Sequence, residues 1–392
     1  MKKQLTLALG LAVLATPAFA SKARLLALGE DANGSFFIND NRNIFLNAAE
    51  ANNHGDLVTF EFGDNNGTDS DTDANAEGGI LYANKNFVYG IHMGSSTGFE
   101  RMLGSLTAPN TVANGFYKPN TTVDLFLAGD AGFKWGANLS YSRANNDTFG
   151  GNPATPVSAQ KADSNSMDLN VGATFGNLSV YVDSTLVGEM TMKQGTTANA
   201  PKTTLDSKGR YEVGGSYKLN SYTIFAQASM ADFEAKVGGA KTDIESKFYT
   251  IGAARTERLS DKTMMFVKLY ASQLDTRGLS TTGAIANKND TKTTRVPVAV
   301  GFEHDATSWL VLRGSVAQNL WSQQDDDATK KRTLANSTSV NAGATLKLGD
   351  FNVDGLIGTG NDGAGNLAAR DQQAGVLSMD NLMTRVSMTY RF

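Results

Sequence analysis

The chain has 392 residues, with 35 Lys and Arg against 39 Asp and Glu for a net charge of -4, and it has no cysteine. The missing thiols exclude a disulfide-stapled secreted fold and any thiol chemistry, and charge this balanced and dispersed excludes the basic footprint that nucleic acid requires. With 40 Gly, only 7 Pro and abundant Asn, Thr and Ser, the composition suits many strands and turns and few helices.

Residues 1–20 open with Lys2 and Lys3, continue through the apolar run Leu5 to Ala15 and finish at Ala18-Phe19-Ala20. A basic start, an apolar stretch of about ten residues and small residues at a cut site describe a secretory signal peptide, too short to span a membrane. Beyond it no apolar run approaches the roughly 18 residues of a transmembrane helix, which leaves an exported soluble protein or a β-barrel. Residues 21–56 precede any clear alternation. Ala23 to Gly29 is a short, apolar, helix-like piece, and Ile38-Asn39-Asp40-Asn41-Arg42-Asn43-Ile44-Phe45-Leu46-Asn47 is an Asn-rich turn. The latter resembles the N-terminal segment of FadL-type transporters of hydrophobic compounds, although Asn47 is followed by Ala48 where that segment carries Asn-Pro-Ala. The resemblance implies a plug in the lumen of a barrel; the alternative is a periplasmic tail or strand extension.

From Leu57 apolar residues recur at every second position, the period of a strand with one apolar face. Val58, Phe60 and Phe62 share a face, as do Phe87, Tyr89, Ile91 and Met93, then Val123, Leu125 and Leu127, then Val296, Val298, Val300 and Phe302, with similar sets between and after them. About sixteen such segments fit, an even number within the bacterial barrel range. Short turns after Ala83, Gly129, Phe175, Leu219, Arg255, Phe302 and Leu348 alternate with long linkers at 63–78, 94–120, 144–163, 188–209, 231–245, 274–292, 318–337 and 359–381. This predicts an all-β, transmembrane, antiparallel β-barrel over residues 57–392, with short periplasmic turns and long extracellular loops. Phe87, Phe133, Trp135, Phe175, Tyr222, Phe302, Trp309, Phe351 and Phe392 stand near the short turns, as an aromatic belt at the membrane interface would. The last strand, Leu382 to Phe392, resembles the closing strand of Gram-negative outer-membrane barrels. That resemblance implies a cell outer membrane location and a terminal Phe392 read by the barrel assembly machinery.

If the apolar parity faces lipid, the other lines the lumen, where unpaired charge escapes the roughly 2–4 kcal/mol it costs near the bilayer midplane. The charged residues on that parity are Glu61, Asp124, Lys134, Asp168, Asp183, Glu212, Lys218, Lys268, Glu303, Arg313, Lys347, Asp354, Arg385 and Arg391. A sixteen-stranded barrel is too wide for side chains to fill. The expectation is therefore a porin with a water-filled channel for passive diffusion of small hydrophilic solutes and ions. A FadL-like transporter and a structural or adhesive protein are the alternatives; the inward parity offers no apolar groove for a hydrophobic substrate. The linker carrying Phe99-Glu100-Arg101-Met102-Leu103 is the candidate constriction, with Glu100 and Arg101 opposite Arg385, Arg313 and Lys134. The same piece could instead latch a neighbouring subunit of a homo-oligomer such as a trimer. The acidic run Asp69 to Glu77 lacks the Gly and bidentate Glu of a calcium-binding EF-hand loop and reads as an outer loop bridged to lipopolysaccharide by divalent ions. His54, His92 and His304 are too scattered for hydrolase chemistry, so neither enzyme activity nor a cofactor nor a resident metal is expected.

Overall fold

The structure is a computed structural model that describes residues 21–64, 76–105, 122–146, 160–194, 202–237, 240–282, 285–327, 331–333, 338–359 and 382–392. The signal-peptide segment 1–20 and nearly all of the acidic run from Asp69 lie outside the described residues. The strands are β1 (Leu57–Asp64), β2 (Glu77–Asn84), β3 (Phe87–Met93), β4 (Val123–Asp130), β5 (Lys134–Asn146), β6 (Gln160–Phe175), β7 (Leu178–Gln194), β8 (Lys202–Leu219) and β9 (Tyr222–Val237). They continue as β10 (Ala240–Ser260), β11 (Thr263–Thr282), β12 (Ile285–Asp305), β13 (Leu310–Asp326), β14 (Arg332–Thr333), β15 (Thr338–Leu348), β16 (Phe351–Thr359) and β17 (Leu382–Arg391). All belong to one antiparallel sheet of 17 strands in which β1 pairs with both β2 and β17. Val58 lies opposite Ile80 on one side and Tyr390 on the other. The two-residue β14 only rests beside β13, and the other sixteen strands close the cylinder.

Closure leaves no sheet edge, which is the condition for strands to stand in hydrocarbon, where no water meets an unpaired N–H or C=O. The faces separate as that solvent demands. Phe60, Val182, Val213 and Ile251 point outward and are 52%, 52%, 53% and 63% exposed, whereas Glu61, Asp124 and Arg313 on the opposite parity are 2%, 1% and 4% exposed. A continuous apolar exterior around a polar interior is an outer-membrane β-barrel. The short turns are tight: Lys85, Asn220, Gly176 and Gly349 all take positive φ, at 55°, 55°, 59° and 68°, the left-handed geometry that matches the twist of a hairpin. Aromatic rings gather beside these turns, Phe133 stacking on Phe175 at 4.7 Å and Phe87 meeting Trp135 edge-on at 6.3 Å.

The wall is uneven in height. β3 has 7 residues and β4 has 8, whereas β10 and β12 each have 21, about twice the 9–11 that cross a bilayer. Two linkers expected to be loops, 231–245 and 274–292, are instead continuous ladder: β9 and β10 pair up to Val237 with Ala240, and β11 and β12 up to Thr282 with Ile285. Above the lipid neither face has to be apolar, so the alternation fades while backbone pairing continues. Lys236 and Lys241 hold Glu234 on this projecting hairpin at 2.6 and 2.8 Å. β12 breaks register with β13 at Val296/Pro297, where proline removes a ladder donor.

Val182→Arg would place a cation on the lipid face of β7 and should lower the unfolding free energy by about 2–4 kcal/mol. Urea unfolding in lipid vesicles checks this; an unchanged midpoint would mean that the face does not meet hydrocarbon.

Candidate binding site inside the barrel

Residues 21–56 pack against the inward-facing side chains of the wall. Ser21 caps the helix Lys22–Ala27, its hydroxyl accepting the Arg24 amide at 3.1 Å, the preferred solution for an orphan amide at a helix start. Ala23, Leu25, Ala27 and Leu28 are completely buried. Ala23 and Ala27 pack on Leu356, and Leu25 and Leu28 on Ile38 and Phe266. Asn43 then fixes the following turn by accepting the Ser35 amide at 2.8 Å and donating to the Ile38 carbonyl at 2.8 Å. Farther on, Asn47 donates to Ser179 Oγ at 2.8 Å, and Asn170 accepts the Ala48 amide at 3.0 Å while donating to the Leu46 carbonyl at 3.1 Å. This close approach needs glycine in the wall. A Cβ on Gly136 would lie 2.2 Å from the Ala48 oxygen, and one on Gly172 would lie 1.7 Å from Asn47 Oδ1.

Buried ion pairs tie the segment to the wall. The Arg24 guanidinium donates to both Glu303 oxygens, at 2.9 and 3.2 Å, and to Asp40 at 3.0 Å. Arg42 meets Glu77 at 3.1 Å and Glu61 at 3.6 Å, with its guanidinium 4.1 Å above the Phe45 ring. Lys22 pairs with Glu77, and Lys268 with Glu30. Ser21 Oγ donates to Asp354, whose other oxygen accepts Arg313 at 2.8 Å. The bidentate geometry at Glu303 matters, because a buried charge offsets its lost hydration only when well paired and hydrogen-bonded.

A second element enters from the long linker after β3. The helix Gly98–Ser105 buries Phe99 and Met102 among Met190, Leu205, Phe233 and Ile244. Phe99 sits in a notch where a Cβ on Gly188 would come within 2.6 Å of its ring. Glu100 and Arg101 do not stand opposite Arg385, Arg313 and Lys134 as expected. Glu100 caps its own helix, accepting the Thr97 amide at 2.9 Å, and Arg101 reaches Asp183 at 3.7 Å on the β7 wall. The pull comes from the acids there: Asp168 accepts the Phe99 amide at 3.3 Å, and Asp183 and Glu212 hold Arg210 at 2.5 and 2.8 Å.

Between the two elements lies a cavity of about 250 Å³, lined by Phe36, Phe37, Met102, Phe225, Phe248 and Tyr270 among others. Phe36 stacks on Phe225 at 5.1 Å with the planes 8° apart. The expectation that the inward parity carries no apolar groove is therefore corrected. Phe225, Phe266, Tyr181 and Tyr270 take inward positions and are buried, and Phe36 and Phe37 are supplied by the N-terminal segment.

The expected lumen residues thus fall into separate groups. Glu61, Lys268, Glu303 and Asp354 meet the N-terminal segment, Arg313 bonds Glu303 and Asp354 within the wall, and Asp168, Asp183 and Glu212 meet the loop helix or its neighbour Arg210. Asp124 accepts from Ser95 and Ser140, both at 2.5 Å. Lys134 bonds Asn53, Lys347 bonds Asp305 at 2.7 Å, and Lys218 is exposed near the periplasmic turns. Arg385 is buried beside β1, and Arg391 lies at the barrel end, its amide on the Asp350 carbonyl at 3.0 Å. The Phe392 amide bonds the Asp56 carbonyl at 3.1 Å, and its ring stacks on Tyr390 at 6.5 Å. Sequence reading missed Arg24, Glu30, Asp40, Arg42 and Arg210. Charges interrupting an otherwise apolar helix and turn were the available signal for the first four; Arg210 stands on β8 beside the register shift at Ser207/Gly209, which breaks the alternation there.

No family model matches the chain, and no curated protein matches it. Among solved structures it is similar to a Pseudomonas aeruginosa FadL homologue, at 10% identity and TM-score 0.44 over 95% of this chain and 98% of that one. It is also similar to the Pseudomonas putida toluene transporter TodX, at 12% identity and TM-score 0.41 over 95% and 98%. OmpT, an outer membrane protein of Vibrio cholerae, is similar at 16% identity and TM-score 0.34 over 86% and 97%.

Replacing Arg24 by Ala would strand Asp40, which is 0% exposed, at a cost of about 3–5 kcal/mol. Amide exchange should then accelerate across residues 21–47 while β5 to β9 keep their protection. Equal exchange in the two proteins would show that the ion pair does not hold the segment.

Proposed function

We propose that this protein is an outer-membrane channel for small hydrophobic compounds. The observation that carries the reading is the aromatic cavity between residues 21–56 and the loop helix. At about 250 Å³ it exceeds the roughly 150 Å³ that holds benzene in an engineered apolar cavity. It lies close to the size range of ligand pockets, and its aromatic side chains share the lining with polar ones such as Gln227, Ser229 and Thr250. Phe36, Phe225 and Tyr270 supply ring faces and edges, while the cations of its lining, Lys268, Arg210 and Arg101, are already matched by Glu30, Asp183 and Glu212. A neutral apolar guest fits such a lining better than a hydrated ion. Residues 21–56 support the same reading, since they stand where a diffusion pore would keep water and are tied there by buried ion pairs. Access then requires that guest-sized openings form around this segment, not that an aqueous bore be permanently open.

The test combines conductance with binding. In planar bilayers the purified protein should give no large, long-lived open steps, and titration calorimetry should detect toluene binding that falls at least tenfold in Phe225→Asp. Large ohmic steps together with no toluene binding would return the chain to the diffusion-porin reading.

A further inference from the structure

A second cavity, of about 1050 Å³, opens toward the short turns, with Ser221 and Gly349 at its edge. Six basic side chains line it: Arg24, Lys218, Arg258, Lys262, Arg313 and Lys347. Three of them are already matched. Arg24 and Arg313 share Glu303 and are completed by Asp40 and Asp354, and Lys347 bonds Asp305. Lys218, Arg258 and Lys262 have no carboxylate within ion-pair distance among the described residues, and all three are exposed to the water of the cavity. Asp261, in the turn between β10 and β11, is the remaining acid of the lining. The periplasmic vestibule therefore carries an excess of positive charge that the wall and the N-terminal segment leave unanswered, in a concave site whose walls focus the field.

Its inner surface differs from its rim. Phe37 and Met264 are half-buried and give it an apolar floor over the buried Phe266 and Val311, with Phe37 meeting Phe266 edge-on at 5.1 Å. We propose that this vestibule binds a small organic monoanion, its carboxylate held by Lys218, Arg258 and Lys262 and its apolar body resting on Phe37 and Met264. A simple inorganic anion would answer the cations and leave the floor wet. A neutral hydrocarbon would cover the floor and leave the cations unanswered. A molecule with a single carboxylate on a ring or short chain does both. The acidic tail of another protein could touch the rim, but the floor lies inside the wall. The site stands on the vestibule's own residues and holds whether or not a neutral compound passes through the barrel.

Calorimetric titration of the full chain in detergent, at fixed ionic strength, tests this with benzoate, benzyl alcohol and acetate as probes. Benzoate should bind at least tenfold more tightly than the other two. The combined Lys218→Ala, Arg258→Ala and Lys262→Ala variant should lose at least tenfold in benzoate affinity and leave benzyl alcohol unchanged. These three side chains are solvent-exposed and form no part of the buried ion pairs, and retained β-sheet circular dichroism establishes that the variant is folded. Equal binding of benzoate and benzyl alcohol would overturn the cationic role, and equal binding of benzoate and acetate would overturn the apolar floor. Undiminished benzoate affinity in the folded variant would overturn the site.

Discussion

Hydrocarbon accepts neither an unpaired backbone amide nor an unpaired charge, and this single constraint orders the whole molecule. The first half of it closes the sheet, so that β1 is bonded to both β2 and β17. The second half sends charged side chains of the spanning strands inward, where Arg313 is matched within the wall by Glu303 and Asp354 but Glu61, Glu77 and Lys268 border a space too wide for side chains to fill. Residues 21–56 meet that interior charge for charge. Arg24 reaches Glu303, Arg42 reaches Glu77, and Glu30 reaches Lys268.

The N-terminal segment is thereby more than a filler. Its helix is apolar where it leans on Leu356 and Phe266 and charged where it meets the acids of β12 and β2. It also supplies Phe36 and Phe37 to the chamber above and Phe37 to the vestibule below. One stretch of chain therefore divides the lumen into two compartments of different chemistry, an aromatic one whose cations are matched and a wetter one whose cations are not.

The barrel was legible in the sequence because lipid imposes a period of two on every spanning strand, and a run such as Phe87, Tyr89, Ile91, Met93 has no other simple reading. Two ambiguities came from the same rule failing. In β10, Phe248 and Tyr249 are adjacent aromatics, so parity alone could not choose between them; the structure turns Tyr249 outward and Phe248 into the aromatic cavity. In β9, Tyr222 and Ile224 alternate with Phe225, and an inward aromatic is invisible when the outward neighbours are also apolar. The heights of β10 and β12 were hidden for the opposite reason, since above the membrane both faces are polar and strand looks like loop.

The interior contacts were not legible for a different cause. Parity tells which side of the wall a side chain takes, but the partners of Glu303 and Glu77 lie some 280 and 35 residues away on a segment with no periodic signal. The most direct measurement uses the absence of native cysteine. Leu28 is 0% exposed inside the barrel, so a single Leu28→Cys thiol in the folded protein should resist a water-soluble maleimide and react only after denaturation. Labelling of the folded protein as fast as the denatured one would contradict a lumen occupied by residues 21–56.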